Sequence, residues 1–436
     1  MKHRNIATIL SVFVVGLGQL YNKQFVKGII LLAINAAALI YFVRELPHAI
    51  WGLVTLGDTP TGLQKVGRIN QMVQGDNSIF LLIQGLITVL FFALFILIYI
   101  MNIRDANRTG DLRDKGQSPA TIKQTLYYVW DRKFPHLLLT VPGMGVLFLT
   151  IMPILFMVLL SFTNYSLPNH IPPAKLVDWV GFQTFIDLLT LKTWSYTFFG
   201  VLTWTIIWAV VATVTCYFGG LLVALLIEQK GVRFKKVWRT IFILPYAIPQ
   251  LISLLVMRNL FNGQFGPINE YLSYFGIGKV PWLTDPTMAK ITAIIVNMWV
   301  GIPVTMVLVL GVLTAIPKDM YEAAEVDGAS GYQKFRIVTL PFVLFATAPI
   351  LITQFAGNIN NFNLIFLLTN GAPLNGEYMY AGSTDLLVTW LYKLTLNQSQ
   401  FNMASAIGII IFIIIATFSI VNYRRTKSFK EEDMIQ

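Results

Sequence analysis

Apolar stretches recur along the chain near residues 26–43, 79–101, 137–161, 199–227, 239–258, 289–313, 343–369 and 403–422. Each is close to the length of about 20 residues that carries a helix across a bilayer, so the pattern predicts an all-α polytopic membrane protein with about eight transmembrane helices. Several of these stretches carry breaks. Pro245 and Pro249 interrupt the fifth, Gly301-Ile302-Pro303 the sixth, and Asn358, Asn360, Asn361 and Asn363 crowd the seventh. Broken or polar helices persist in hydrocarbon only where they face protein or a water-filled path. The run at 6–20 is different: it follows Lys2-His3-Arg4 but has no small-residue cleavage site after it, and about fifteen residues is short for a span. With Gly16-Leu17-Gly18-Gln19 suggesting a tight turn, it reads as an interfacial or re-entrant segment rather than a ninth span. The chain divides unevenly, with two spans in 1–136, six spans in 137–425 and a polar tail at 426–436.

The polar connection at 316–341, IPKDMYEAAEVDGASGYQKFRIVTLP, has too much local design to be passive. Pro317 suits the first turn of a helix, and Asp319 and Glu322 sit where the helix dipole favours acids. Gly328 supplies a stop about three turns later. Ala323 and Ala324 give this short helix a smooth patch, Gly328 allows a reversal, and residues 332–338 resume as a second short helix before Leu340-Pro341 leads back to the bilayer. Such a hairpin is shaped to fit a groove on another protein; the plainer reading is an amphipathic loop resting on headgroups.

Composition agrees with the pattern: 56% of residues are hydrophobic and 12% charged, against about 25% charged in soluble domains. Of the 32 Lys and Arg, 23 fall on the side holding both termini and the 316–341 loop. The positive-inside rule therefore places these in the cytoplasm. That bias and anionic lipid account for the net charge of +11, so a nucleic-acid partner is not needed to explain it. The lone Cys216 lies in an apolar span and reads as a packed core thiol. His3, His48, His136 and His170 are scattered, form no metal-ligand spacing, and no catalytic constellation emerges. No P-loop is present, since Gly276-Ile277-Gly278-Lys279-Val280 lacks the required ending. The span interiors are almost free of charge, unlike those of ion-coupled carriers. The expectation is a non-enzymatic translocation subunit that binds no cofactor and draws its energy from a partner.

On an uninterrupted helix, Gln354, Asn358 and Asn361 share a face, with Asn360 and Asn363 turned aside. Uncharged amides suit hydroxyl-rich neutral substrates, and rings such as Phe355, Phe362, Trp299 or Trp390 could stack on sugars. The same amides serve equally as interhelical hydrogen-bonding glue. Both readings stand at this point.

The 316–341 loop resembles the cytoplasmic signature of ABC importer membrane subunits: Glu322-Ala323-Ala324, three residues, Gly328, nine residues, Val338 in place of isoleucine, one residue, Leu340-Pro341. The resemblance implies that Glu322, Ala323, Ala324, Gly328, Leu340 and Pro341 couple the spans to an ATP-hydrolysing partner. A closer likeness covers about 137–425. Phe162-Thr163-Asn164-Tyr165-Ser166, Leu244-Pro245-Tyr246-Ala247, Asn360-Asn361-Phe362, Leu367-Leu368-Thr369-Asn370-Gly371 and Thr384-Asp385-Leu386-Leu387-Val388 resemble the larger membrane subunit of maltose/maltodextrin ABC importers. That likeness implies a carbohydrate permease with a type I importer fold in the cell membrane. It implies as partners a second permease subunit, two ATP-binding subunits and an extracellular solute-binding protein, with ATP used on the partner chains.

The resemblance also implies that the sugar is held midway across the membrane, where Gly301, Asn358 and Asn361 match positions that contact it. Gln354, in the same region, stands where the maltose subunits have serine, Val304 where they have tyrosine and Gly357 where they have phenylalanine. Two lost rings imply a roomier site for longer maltodextrins, a shifted pose, or another oligosaccharide such as a galacto-oligosaccharide. Only about 37 residues separate the spans after Tyr165-Ser166, where Gram-negative maltose subunits insert a large domain. That shortness is what the family implies for a Gram-positive cell.

Overall fold

The computed structural model describes residues 2–66, 69–171, 175–229 and 231–425. By its contacts the chain divides into two compact units between Gly181 and Phe182, later than the motif-based division at 136/137; the expected tail, 426–436, lies outside the described residues.

The first unit runs α1 (Lys2–Phe13), α2 (Leu17–Tyr21), α3 (Phe25–Thr55), a hairpin of β1 (Gly62–Val66) and β2 (Ile69–Val73), α4 (Ser78–Asp114), α5 (Ile122–Arg132), α6 (Phe134–Val146) and α7 (Met152–Ser161). The antiparallel hairpin, with Gly62 opposite Val73, is a small departure from the all-α expectation. Helices α3, α4 and the continuous run Phe134–Ser161 are long and apolar enough to cross a membrane. Helix α1 is not: twelve residues reach about 18 Å where the hydrocarbon needs about 30 Å. It is instead fastened along the end of α4. Gly16, at φ 97°, turns the chain and donates its N–H to Asn102 Oδ1 at 3.2 Å, while Asn102 Nδ2 donates to Ser11 O. A Cβ on Gly110 would lie 2.6 Å from Arg4 Cα, so glycine is what lets the two helices meet.

The second unit contains α8 (Gln183–Thr190), α9 (Lys192–Glu228), α10 (Lys235–Ala247), α11 (Gln250–Leu260), α12 (Pro267–Tyr274) and α13 (Pro286–Ala315). It continues with α14 (Lys318–Val326), α15 (Gly331–Lys334), α16 (Leu340–Ile359), α17 (Phe362–Leu368), α18 (Leu387–Leu396) and α19 (Phe401–Arg425). The long α9 is its spine, packed against α13 and α16. Small residues make that possible: Ala209, Ala212 and Ala224 are fully buried, and Gly220 sits where a Cβ would meet the backbone N of Met306 at 2.7 Å. Trp208, Trp390 and Tyr217 fill the core around them, and Tyr217 Oη meets Thr347 Oγ1 at 2.7 Å.

Across the described residues there are seven span-length apolar helices, eight if the bent pair α10–α11 counts as one. The expected breaks are redistributed. Pro249 does its work, since α10 and α11 meet at 91°. Pro303 does not: α13 passes through it unbroken, with Pro303 buried, and prolines are tolerated inside spans that pack among other helices. Two other prolines act through wider turns. Leu147–Ile151 and Phe335–Thr339 are each one π-helical turn. Each is centred four residues before a proline, Pro153 or Pro341. A proline cannot donate to the carbonyl four residues back and its ring clashes with it; widening that turn moves the carbonyl aside and keeps the helix continuous. Residues Gly331–Ile359 therefore form one span.

Candidate functional site

The 318–334 hairpin is built as its sequence suggests, with two adjustments. Pro317 stands just before α14 rather than in its first turn, and the second helix is only Gly331–Lys334 before the π-helical turn takes over. Helix α14 stops at Val326 because Gly328 adopts φ 75°. In that conformation its N–H reaches Glu325 O (3.0 Å) and the N–H of Ala329 reaches Ala324 O (2.9 Å), closing the orphan carbonyls. Ser330 then caps α15 reciprocally with Gln333. Across the hairpin, Lys334 Nζ meets Glu325 Oε1 at 2.7 Å and Tyr321 Oη meets Thr339 Oγ1 at 2.8 Å.

These bonds hold the hairpin with one face open. Glu322, Ala323 and Gly328 are exposed and Ala324 is half-buried; among them Val326 is 88% and Tyr332 69% exposed. Val338 is buried and Leu340 packs beside Val343 and Leu221, while Pro341 is exposed and acts through the wide turn before it. Behind the hairpin a cleft of about 720 Å³ separates Lys318, Tyr321 and Phe335 from Leu225 and Glu228 at the end of α9. Glu228 also holds Arg239 and Lys235, tying α9 to α10.

The second group of residues does not lie on a single helical face. Helix α16 ends at Ile359; Asn360 leaves the helical conformation and Asn361 caps α17, its Oδ1 accepting from Leu364 N. Asparagine side chains compete with the backbone for hydrogen bonds, which is why the helix breaks at a pair of them. Gln354 and Asn358 do share a face of α16 but reach different neighbours. Gln354 Nε2 donates to Thr305 Oγ1 on α13 (3.1 Å), and Asn358 Nδ2 to Thr213 Oγ1 on α9 (2.9 Å). Asn358 O also accepts from Trp208 Nε1. Asn361 Nδ2 donates to Asn297 Oδ1 (3.3 Å), and Gly301 lies where a Cβ would meet Cys216 Sγ at 2.5 Å. Cys216 in turn accepts from Asn297 Nδ2 (3.2 Å).

The result is an uncharged polar seam joining α9, α13, α16 and α17. Its hydrogen bonds do interhelical work, and one of its acceptors, Gln354 Oε1, is buried with no partner. Of the rings expected to stack on sugar, Trp390 is fully buried in the core with Nε1 bonded to Met379 O, and Phe355 lies against Phe418 with centroids 4.0 Å apart. Phe362 stacks on Phe366 at 4.9 Å. Val304 and Gly357 are exposed, with nothing within 4 Å of a Cβ placed on Gly357. Sequence reasoning missed Thr213, Thr305 and Asn297, the partners of the amides. The signal was available: they are polar positions inside apolar spans, and Asn297, Gly301 and Thr305 recur at the spacing of one helical face.

Fold and hairpin together define a multi-pass membrane transport subunit. The family of binding-protein-dependent transport system inner membrane components matches residues 217–425. The galactooligosaccharides transport system permease protein of Bacillus subtilis is 42% identical over 435 residues, covering 99% of this chain and all of that one. The maltodextrin transport system permease protein of Streptococcus pneumoniae is 38% identical over 440 residues, covering 98% and 97%. A solved bacterial ABC transporter involved in the import of the acidic polysaccharide alginate superposes with a TM-score of 0.57 at 22% identity, over 69% of this chain and 99% of that one, and shares the fold. The chain belongs to the carbohydrate permease subunits of binding-protein-dependent ABC importers.

Proposed function

We propose that this permease moves neutral hexose oligosaccharides of the maltodextrin type, driven by ATP hydrolysis on partner subunits that bind the 318–334 hairpin. The observation that carries the substrate class is the seam itself: Asn297, Gln354, Asn358 and Asn361 present amides and no charge, which suits hydroxyl groups and disfavours ionic cargo. The buried, unpartnered Gln354 Oε1 is an acceptor waiting for a donor such as a sugar hydroxyl. Support for the drive comes from the exposed apolar surface of the hairpin and its rigid internal bonding. A second permease, two ATP-binding subunits and an extracellular solute-binding protein complete the working unit, with the hairpin and both termini in the cytoplasm and no cofactor on this chain. Closure of the ATPase dimer would displace the hairpin and rock the spans between inward-open and outward-open states.

A second reading has its own observation. The Bacillus subtilis relative, similar along its whole length, is named for galactooligosaccharides, and Val304 and Gly357 leave space where maltose subunits carry rings. ATP-dependent uptake of labelled maltotriose and of a galacto-oligosaccharide, by the complex in vesicles, separates the two. Preference for maltotriose, changed in Asn361→Ala, supports the first reading; preference for the galacto-oligosaccharide supports the second. Uptake of neither sugar by an ATP-hydrolysing complex would overturn both.

A further inference from the structure

At the end of the second unit opposite the hairpin, a cleft of about 640 Å³ opens between the first turns of α9 and α13 and the 369–386 connection. Its charged groups are Lys192 and Lys290, joined by the hydroxyls of Ser195, Tyr196 and Tyr378, and no carboxylate lines it. Beside it, Glu377 accepts from Tyr196 Oη at 2.7 Å. Lys290 Nζ lies 4.8 Å from the centroid of the Trp204 ring, and that ring is fixed by its own Nε1 bond to Thr384 O. Among the described residues Lys290 has no ion pair.

Helix lengths give the depth of this cleft. The 37 residues of α9 span about 55 Å against a hydrocarbon thickness of about 30 Å. If the surplus is shared between the ends, the first eight or so residues of α9 lie beyond the hydrocarbon, in the headgroup layer and at its outer edge, and Trp204 about one turn inside it. The 30 residues of α13 span about 45 Å, which places Lys290 at the boundary. Below the cleft, α9 exposes Ile207, Val210 and Val214 at helical spacing. Val210 and Val214 then form the wall of a groove of about 530 Å³, lined mainly by apolar side chains of α9, α16 and α19.

From this we infer that the cleft binds the phosphodiester of an anionic phospholipid between Lys192 and Lys290, with an acyl chain along Ile207 and Val210 into the groove. Cationic groups at headgroup depth, aromatic walls and an adjoining apolar track are the chemistry of such a lipid. A neutral sugar fits less well, because the cleft offers no carboxylate or amide to take paired hydroxyls.

The test is native mass spectrometry and thermal unfolding of the detergent-purified complex with phosphatidylglycerol, phosphatidylcholine, inorganic phosphate or maltotriose added. Wild type should retain phosphatidylglycerol and be stabilised by it more than by the other three. Lys192→Gln/Lys290→Gln should weaken that retention by about thirtyfold, from the loss of two headgroup charges, whereas Lys192→Arg/Lys290→Arg should keep it. Equal retention in the Gln pair would overturn the assignment. So would equal stabilisation by phosphatidylcholine, by free phosphate or by maltotriose, and these comparisons need only the wild-type complex. None of them depends on which sugar is carried.

Discussion

Gln354, half-buried, and Asp385, buried, show how differently a polar residue inside the fold can be used. Gln354 satisfies its amide nitrogen on Thr305 and leaves its oxygen without a partner. If that oxygen receives a sugar hydroxyl, Gln354→Leu should raise the half-saturating sugar concentration about fivefold, the worth of one hydrogen bond, without loss of folded complex. Unchanged uptake with raised stability would instead make Gln354 an imperfectly satisfied structural group. Asp385, 1% exposed, is fully engaged: Oδ2 receives Lys393 Nζ at 2.6 Å and Gly382 N at 2.7 Å, and Oδ1 receives Thr389 Oγ1 at 2.8 Å. A Cβ on Gly371 would strike this carboxylate at 2.2 Å. Asp385→Ala should destabilise the protein by about 3 kcal/mol, because Lys393 is left nearly buried without its counter-charge. Thermal unfolding of the variant measures this, and an unchanged midpoint would contradict it. Sequence alone marked Thr384-Asp385-Leu386-Leu387-Val388 as a motif but gave no reason for the acid, since its partners lie on three other turns of chain.

At the scale of elements, the hairpin was legible and the helix interruptions only partly so. Pro317 and Gly328 are strong local signals, and the stop at Val326 follows from the φ of 75° at Gly328. That conformation ranks substitutions: Asn tolerates it, Ala less well and Val poorly. Gly328→Asn should keep most of the ATP-dependent uptake, Gly328→Ala should lose stability in α14 by about 1 kcal/mol, and Gly328→Val should abolish coupling, all at equal membrane insertion. No space restriction confuses this series, as nothing lies within 4 Å of a Cβ at that position; an uptake order unrelated to left-handed propensity would refute it. The effect of a proline was harder to read. Pro249 bends a span by 91°, Pro303 leaves one unbroken, and Pro153 and Pro341 widen one turn each. Every proline removes the same donor, so the residue alone does not say which of these outcomes follows. The seventh span was expected to run to 369 because its apolar period continues. The break at Asn360-Asn361 shows local side-chain bonding overriding that period.

For the whole molecule, the eight-stretch pattern, the uneven charge and the hairpin signature carried the class, and the relatives bear out a carbohydrate permease. The choice of sugar was not legible, because the residues that differ from the maltose subunits, Val304 and Gly357, act by the room they leave rather than by bonds they form. The central claim is that the 318–334 hairpin transmits ATP hydrolysis to the spans. The direct measurement is ATP-dependent uptake of labelled oligosaccharide, with ATPase activity recorded in parallel, by the assembled complex in vesicles carrying wild type or Glu322→Lys. The account predicts full insertion and assembly with uptake reduced to background in the variant. Uptake at the wild-type rate would contradict it, and the hairpin would then be no more than a loop on the membrane surface.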